Sequence, residues 1–309
     1  MKNKTNFMTK TWVIVVGAMI CCTLWGSAFP CIKIGYRMME IAAADTASQI
    51  LYAGYRFTLA GVLTIVLGSI LQRKILLPKR SAIGKIGLLS LLQTVLQYLF
   101  FYIGLAHTTG VKASIIEAVS TFVAILVAGY LFHQETVTSR KMLGCLIGFA
   151  GVVLVNVAGS GMDFHFSPAG DGCILLSTVA YAFSSVCMKR FSQKEDPVML
   201  SGYQFIFGGI VMIACGAAMG GHLKAFTASA AALLIYMAMI SAVAYSLWGM
   251  LLKYNPVSKV TVFGFMNPVI GVILSALLLN ETESLGVSSV LALGLVCVGI
   301  YIVNAKDKE

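Results

Sequence analysis

Apolar runs of about 20 residues, long enough to cross a bilayer as helices, alternate with short polar segments ten times along the chain. They fall at 12–34, 49–71, 83–106, 112–132, 141–158, 169–188, 199–219, 230–252, 259–279 and 285–303. The connections leave no room for an extramembrane domain. The runs also repeat. Gly54-Tyr55-Arg56-Phe57 stands 148 residues ahead of Gly202-Tyr203-Gln204-Phe205, and Gly61 and Gly68 are echoed at Gly209 and Gly216. Gln134-Glu135-Thr136 recurs as Asn280-Glu281-Thr282, and Gly151 with Val155-Asn156 recurs as Gly299 with Val303-Asn304. Each half holds five spans, an odd number, so the second copy must enter the membrane in the opposite sense. Inverted repeats with a site between them are a common plan of secondary transporters. The predicted fold class is therefore an all-α integral membrane protein. Ten transmembrane helices form two inverted five-helix repeats, residues 1–157 and 168–309, around a central cavity. The segment from Ala158-Gly159-Ser160-Gly161 to Pro168 is the expected linker.

Composition agrees with lipid as the main solvent. Of 309 residues, 59% are hydrophobic and 11% charged, against about 25% charged in an ordinary soluble domain. Lys2, Lys4 and Lys10 precede the first run as they would in a signal peptide. That run is about 23 residues long and lacks a small-residue cleavage site, so it reads as span one. With the N-terminus in the cytoplasm, seventeen of the 22 Lys and Arg residues fall on the inner side. Lys33, Arg37, Lys112 and Lys224 fall outside, and Arg56 lies within a span. The positive-inside rule then puts both termini in the cytoplasm of a multi-pass plasma-membrane protein, a bacterial inner membrane being the expected setting. The net charge of +10 expresses this bias and an attraction to anionic membrane lipids, and no nucleic-acid partner is expected.

Enzyme signatures are missing from the sequence. The four histidines (His107, His133, His165, His222) sit at loops or span ends, with no i, i+4 carboxylate partner. There is no Gly-x-Ser-x-Gly elbow and no Walker loop. The eight cysteines fall mostly within spans without a Cys-x-x-Cys pair, as small buried thiols do. No catalytic residue, metal or cofactor is expected. Asn280-Glu281-Thr282 fits a glycosylation sequon but hugs the membrane and coincides with a repeat marker, so it reads as structural.

Polar residues inside the spans are costly and therefore informative. A central arginine costs about 2.5–3.5 kcal/mol on insertion scales and must face a partner, a cavity or water. Arg56 lies roughly 10 Å, and Glu117 roughly 7–8 Å, below the outer surface. They could meet as a structural pair, or Arg56 could receive an anionic group of a substrate; Glu117 could also carry a proton. The second repeat carries Gln204 and Phe263 at the matching places, so the lining is asymmetric where the scaffold is symmetric. Asn267 lies close in depth to Gln204, and the two are expected to form the cytoplasmic half of a polar site. Deep aromatics supply walls: Trp25 with its counterpart Tyr181, and Tyr98, Phe100, Phe101 and Tyr102 facing Tyr245 and Trp248. Pro30 and Pro268 each free a backbone carbonyl, a helix break tolerated only beside protein or a wet cavity. Gly144-x-x-x-Gly148 makes span five, with span ten, a face for homodimerisation or for packing within the chain, the latter favoured. Glu135 and Glu281 end spans four and nine as hinge or cap residues.

Trp25-Gly-Ser-Ala-Phe29, Tyr55-Arg56-Phe57, Gln134-Glu135, the run from Gly148 to Val155, Asn267-Pro268 and Asn280-Glu281 together resemble the EamA-type drug/metabolite transporter superfamily. The resemblance runs from span one to span ten. It implies a five-plus-five inverted fold with a cavity lined mainly by spans 1–4 and 6–9, and cargo that is a small metabolite, amino acid, sugar or drug. Ser120-Thr121 stands where the family usually has a proline matching Pro268, so the two gates are expected to differ in flexibility. The span-one glutamate that small four-helix relatives use for drug/proton exchange is missing here. The expected function is export of a small metabolite or amino acid by alternating access. The expected substrate-binding residues are Trp25, Arg56, Tyr98, Glu117, Tyr181, Gln204, Trp248 and Asn267. A lipid-linked substrate flippase or a drug efflux carrier is the alternative within transport; a channel or a membrane-embedded enzyme is the alternative outside it.

Overall fold

The computed structural model describes residues 7–108, 110–157, 166–224, 227–279 and 287–305. Glu281, the sequon at Asn280, His165, the linker 158–165 and both extreme termini lie outside the described residues. The ten expected spans are all helices. Spans one to five cover Thr11–Met38, Thr46–Leu71, Arg80–Leu105, Lys112–Leu131 and Ser139–Val157. Spans six to ten cover Pro168–Ser192, Pro197–Ala218, Ala228–Tyr254, Val257–Leu274 and Val287–Asn304. No strand occurs among the described residues. Asp45 caps span two by accepting from Ser48 N at 3.0 Å, and that backbone bond holds its carboxyl below the usual carboxylate range. Asp196 caps span seven through Val198 N and Met199 N, with Pro197 at the first helical position.

Glycine decides which helices touch. Spans two and seven cross backbone to backbone. A Cβ on Gly54 would lie 2.6 Å from Ile213 N, one on Gly61 2.5 Å from Gly202 O, and one on Gly216 2.6 Å from Leu51 N. The residue numbers fall on one span as they rise on the other, so these equivalent helices run antiparallel. Spans five and ten repeat the arrangement, with Gly144 against Val303 and Gly299 and Gly151 against Ala292 and Val296. The glycine face of spans five and ten is thus occupied within the chain. Outward they present Leu143, Leu146, Val290, Leu291, Val298 and Tyr301, all exposed, as suits a surface facing lipid tails.

The remaining packing follows the same exchange. Span one lies against spans eight and nine, and span six against spans three and four. Span two also touches span eight, and span seven touches span three. Replacing each helix by the one five later maps this pairing onto itself. Antiparallel crossing of equivalent helices is the geometry an inverted duplication requires.

One expectation about helix breaks needs correction. Span one runs unbroken from Thr11 to Met38 with Pro30 inside it. A proline lacks the N–H that would bond four residues back, here to the carbonyl of Gly26. That glycine packs against Ile270 of span nine, so protein surrounds the freed group. Pro268 follows directly on the 3-10 turn Val262–Phe265, and the carbonyl four residues before it, that of Gly264, lies in that turn, so span nine is irregular where the proline leads one to expect it. Span four departs from regular α-helical hydrogen bonding for one residue, at Val119, between Gly110–Ala118 and Ser120–Leu126, with the backbone still in the right-handed helical region and no proline nearby. The two irregularities occupy equivalent places, and both border the cavity. Span three carries a different irregularity, a π-helical segment over Ser90–Leu96, a form often found at functional sites.

Candidate functional site

Spans one, two, three, four, six, eight and nine enclose a cavity of about 160 Å³ in the middle of the bundle. Its wall includes Trp25, Arg56, Gln97, Tyr98, Tyr102, Ser114, Glu117, Thr121, Ser177, Thr178, Tyr181, Tyr245, Thr261, Asn267 and Pro268. Drug-sized ligands occupy clefts of about 300–1,000 Å³, so a large apolar drug would need the walls to move.

Arg56 is 3% exposed. Its Nη2 donates to Ser241 Oγ at 3.0 Å, its guanidinium lies 5.1 Å from the centre of the Phe57 ring, and its Nε is buried without a partner. Glu117 faces the same cavity from the turn of span four just before Val119. No ion pair joins the two among the described residues, so the structural-pair reading is not the arrangement found. One cavity therefore holds a cation and a carboxylate that do not neutralise each other directly.

The aromatic walls are fixed by contacts between the halves. Tyr98 and Tyr245 share a hydrogen bond between hydroxyls at 2.9 Å. Trp25 packs edge-on against Tyr245 at 5.1 Å and against Trp248 at 5.0 Å. Phe57 lies 4.4 Å from Tyr98 and stacks on Phe205 at 5.3 Å. At the irregular helices, Thr121 Oγ1 donates to Thr261 O at 3.1 Å, and Thr178 Oγ1 reaches Ile116 O at 3.4 Å. Several wall groups have no protein partner: Trp25 Nε1 and Arg56 Nε as donors, Gln97 Oε1 and Asn267 Oδ1 as acceptors. Buried polar groups are normally paired; these four atoms are shut off from solvent in this arrangement, so a ligand would reach them only after neighbouring side chains move.

Six of the eight sequence-predicted residues line this space: Trp25, Arg56, Tyr98, Glu117, Tyr181 and Asn267. Gln204 and Trp248 do not. Gln204 is fully buried behind span three, where its Oε1 accepts from Thr94 Oγ1 at 2.6 Å and its main-chain carbonyl accepts from Ser90. It forms no half-site with Asn267. Trp248 stands behind Trp25 and is 2% exposed. The predicted set omitted Gln97, Ser177, Thr178, Tyr245 and Thr261. Of these, Gln97 had a legible signal, being an amide in the middle of an apolar run. The described cysteines are free thiols, and no cluster of metal-ligating side chains occurs among the described residues.

A bundle of ten membrane-length helices around a charged internal cavity defines the architecture of a membrane transporter. The chain belongs to the EamA-like transporter family, whose model matches it twice, over residues 12–157 and 168–305. It is 28% identical over 306 residues to an uncharacterized transporter of Archaeoglobus fulgidus, covering 96% of this chain and 99% of that protein. It is also 28% identical over 295 residues to YedA of Escherichia coli K12, described as an uncharacterized inner membrane transporter, covering 92% and 90%. A chain of known crystal structure superposes with a TM-score of 0.77 at 16% identity, over 94% of this chain and 96% of that one, a likeness of fold alone. By family, then, this is a membrane transporter.

Proposed function

We propose that the protein is a secondary transporter of the plasma membrane, exporting a small zwitterionic or anionic metabolite, such as an amino acid, by alternating access. The observation that carries this reading is that a basic and an acidic side chain, Arg56 and Glu117, face one small cavity without pairing with each other. A ligand carboxylate would take the guanidinium and a ligand ammonium the Glu117 carboxylate. Trp25, Tyr98, Tyr181 and Tyr245 would enclose its side chain, and Asn267 and Gln97 would accept further hydrogen bonds. The cavity volume argues against a lipid-linked cargo or a bulky drug.

The proposed sidedness rests on charge. Arg73, Lys74, Arg140, Lys141, Lys189, Arg190, Lys253 and Lys259 all lie at the bundle end that carries Phe7, which would be the cytoplasmic end, with both termini there. The two halves would be inverted repeats that rock against each other and expose the cavity to either side in turn.

Thermal-shift screening of the purified protein against amino acids, sugars, nucleosides and cationic drugs tests the substrate class. A ligand at 100 times its Kd stabilises by about 2.7 kcal/mol, a shift of several degrees. The expected hit is an amino acid or a related anion, and Arg56→Gln is expected to abolish its shift. Hits only among sugars or cationic drugs, or a hit retained in Arg56→Gln, would contradict the reading.

A further inference from the structure

Carboxylates are scarce in this chain, and apart from the exposed Glu40 those described have separable tasks. Asp45 and Asp196 cap helices, and Glu195 pairs with Lys85 at 2.6 Å. Glu117 faces the cavity. Two others, Glu135 and Asp171, join one half of the molecule to the other at opposite ends of the cavity.

Glu135 follows the last turn of span four at the end of the bundle that carries Phe7. Its Oε1 accepts from Ser258 N at 2.9 Å, and its Oε2 accepts from Ser258 Oγ. Lys141 Nζ approaches the same oxygen at 3.0 Å and balances its charge. Ser258 opens span nine, one turn ahead of the cavity residue Thr261. The carboxylate of the first half thus holds the entry turn of a cavity-lining helix in the second half. At the opposite end the roles are exchanged. Asp171, in the first turn of span six, accepts from Thr108 Oγ1, which ends span three, and from Lys112 Nζ at 3.4 Å, which begins span four. Its own backbone neighbour Ser167 N completes the grip at 3.0 Å. Between these two junctions span four crosses the cavity and is irregular at Val119. Both carboxylates are almost inaccessible, at 5% side-chain exposure each.

We propose that Glu135 and Asp171 are the two gate latches of the transporter, each holding one end of the cavity shut through the ends of span four. The assignment rests on the alternating-access reading above. Glu135 is expected to release span nine when the end carrying Phe7 opens, and Asp171 to release spans three and four when the other end opens. Both sets of bonds are made at once in this structure. An ordinary helix cap would act only on the turn it bonds. A latch acts on the whole end of the bundle, and that difference is measurable.

Hydrogen exchange followed by mass spectrometry, on the full chain in lipid nanodiscs, separates the two. Glu135→Gln loses a charge-assisted bond and is expected to speed exchange at least about tenfold, both at 257–261 and at the starts of spans one and three, which make no hydrogen bond to Glu135. Glu135→Asp should restore part of the protection, and Ser258→Ala should act in the same direction but more weakly. Asp171→Asn should speed exchange at the other end, around 104–108 and 219–224. Faster exchange confined to 257–261, or no change, in a Glu135→Gln protein that remains monodisperse would overturn the latch and leave the carrier reading standing. Opening of the end that carries Phe7 without added protection at the far end would retain the latch and count against alternating access.

Discussion

Gly209→Val is expected to lower the apparent Tm of the detergent-purified protein by at least about 5 °C and to shift much of it out of the monodisperse peak. A Cβ at position 209 would stand 2.4 Å from Thr58 Oγ1 and 2.5 Å from Thr58 N. The hydroxyl could rotate away, but the amide cannot, because it belongs to the backbone of span two. Relief therefore requires the two helices to separate, and the contacts at Gly54, Gly61 and Gly216 on the same seam would loosen with them. Overpacking costs about 1–3 kcal/mol where side chains can yield. Here the cost should lie at or above the upper end. Close approach through small residues is a main source of helix association in lipid, which offers no hydrophobic drive between spans. Gly84→Ala is the control. Nothing lies within 4 Å of a Cβ at that position, and removing a helical glycine should be neutral or stabilising by about 0.5–1 kcal/mol. Equal tolerance of the two substitutions, read by scanning fluorimetry, would refute the glycine seam as the joint between the halves.

Glu117→Gln is expected to move stability and binding in opposite directions. The carboxylate sits in the cavity with no ion pair among the described residues, so folding removes it from water without a compensating counter-charge. An amide of the same shape has a smaller desolvation cost. The ligand-free Tm should therefore rise by a few degrees. Affinity for the zwitterionic hit should fall about 10- to 100-fold, the loss expected when one charged hydrogen bond worth about 1.5–3 kcal/mol is removed. A gain in stability coupled to a loss of binding marks a group kept for function. Calorimetric titration of both proteins, alongside their melting curves, checks the pair of effects. A lower Tm with unchanged affinity would identify Glu117 as a structural residue.

Much of this architecture was legible in the sequence, for identifiable reasons. A bilayer of fixed thickness forces apolar runs of about 20 residues, so ten spans could be counted. The recurring glycines marked the seams because only they allow two backbones to touch. Span ends were less legible. Span six extends to Ser192, past Lys189 and Arg190, because Lys189 Nζ can donate to the carbonyls of Leu252 and Asn255 at the end of span eight. The facing of residues within a span was the hardest to read. A helix that is apolar on every side has no periodic stripe to give its rotation. Gln204 and Trp248 were therefore expected in the cavity, whereas of the two span-eight aromatics read as walls only Tyr245 lines it. The irregularity at Val119 was equally hidden. No proline or glycine announces it, and its neighbours are tied across the halves by Thr121 to Thr261 and by Thr178 to Ile116.

The most direct test of the carrier itself is thiol accessibility at Ser120, which lines the cavity beside Val119. A Ser120→Cys protein would be exposed to a negatively charged, membrane-impermeant methanethiosulfonate, once in intact cells and once in inverted membrane vesicles. The unaltered protein supplies the background, since most of its cysteines are buried. The account predicts labelling from both sides, with no ionic conductance and with saturating ligand slowing the reaction from each side. Labelling from one side only, or from both sides together with a steady ionic current, would contradict it.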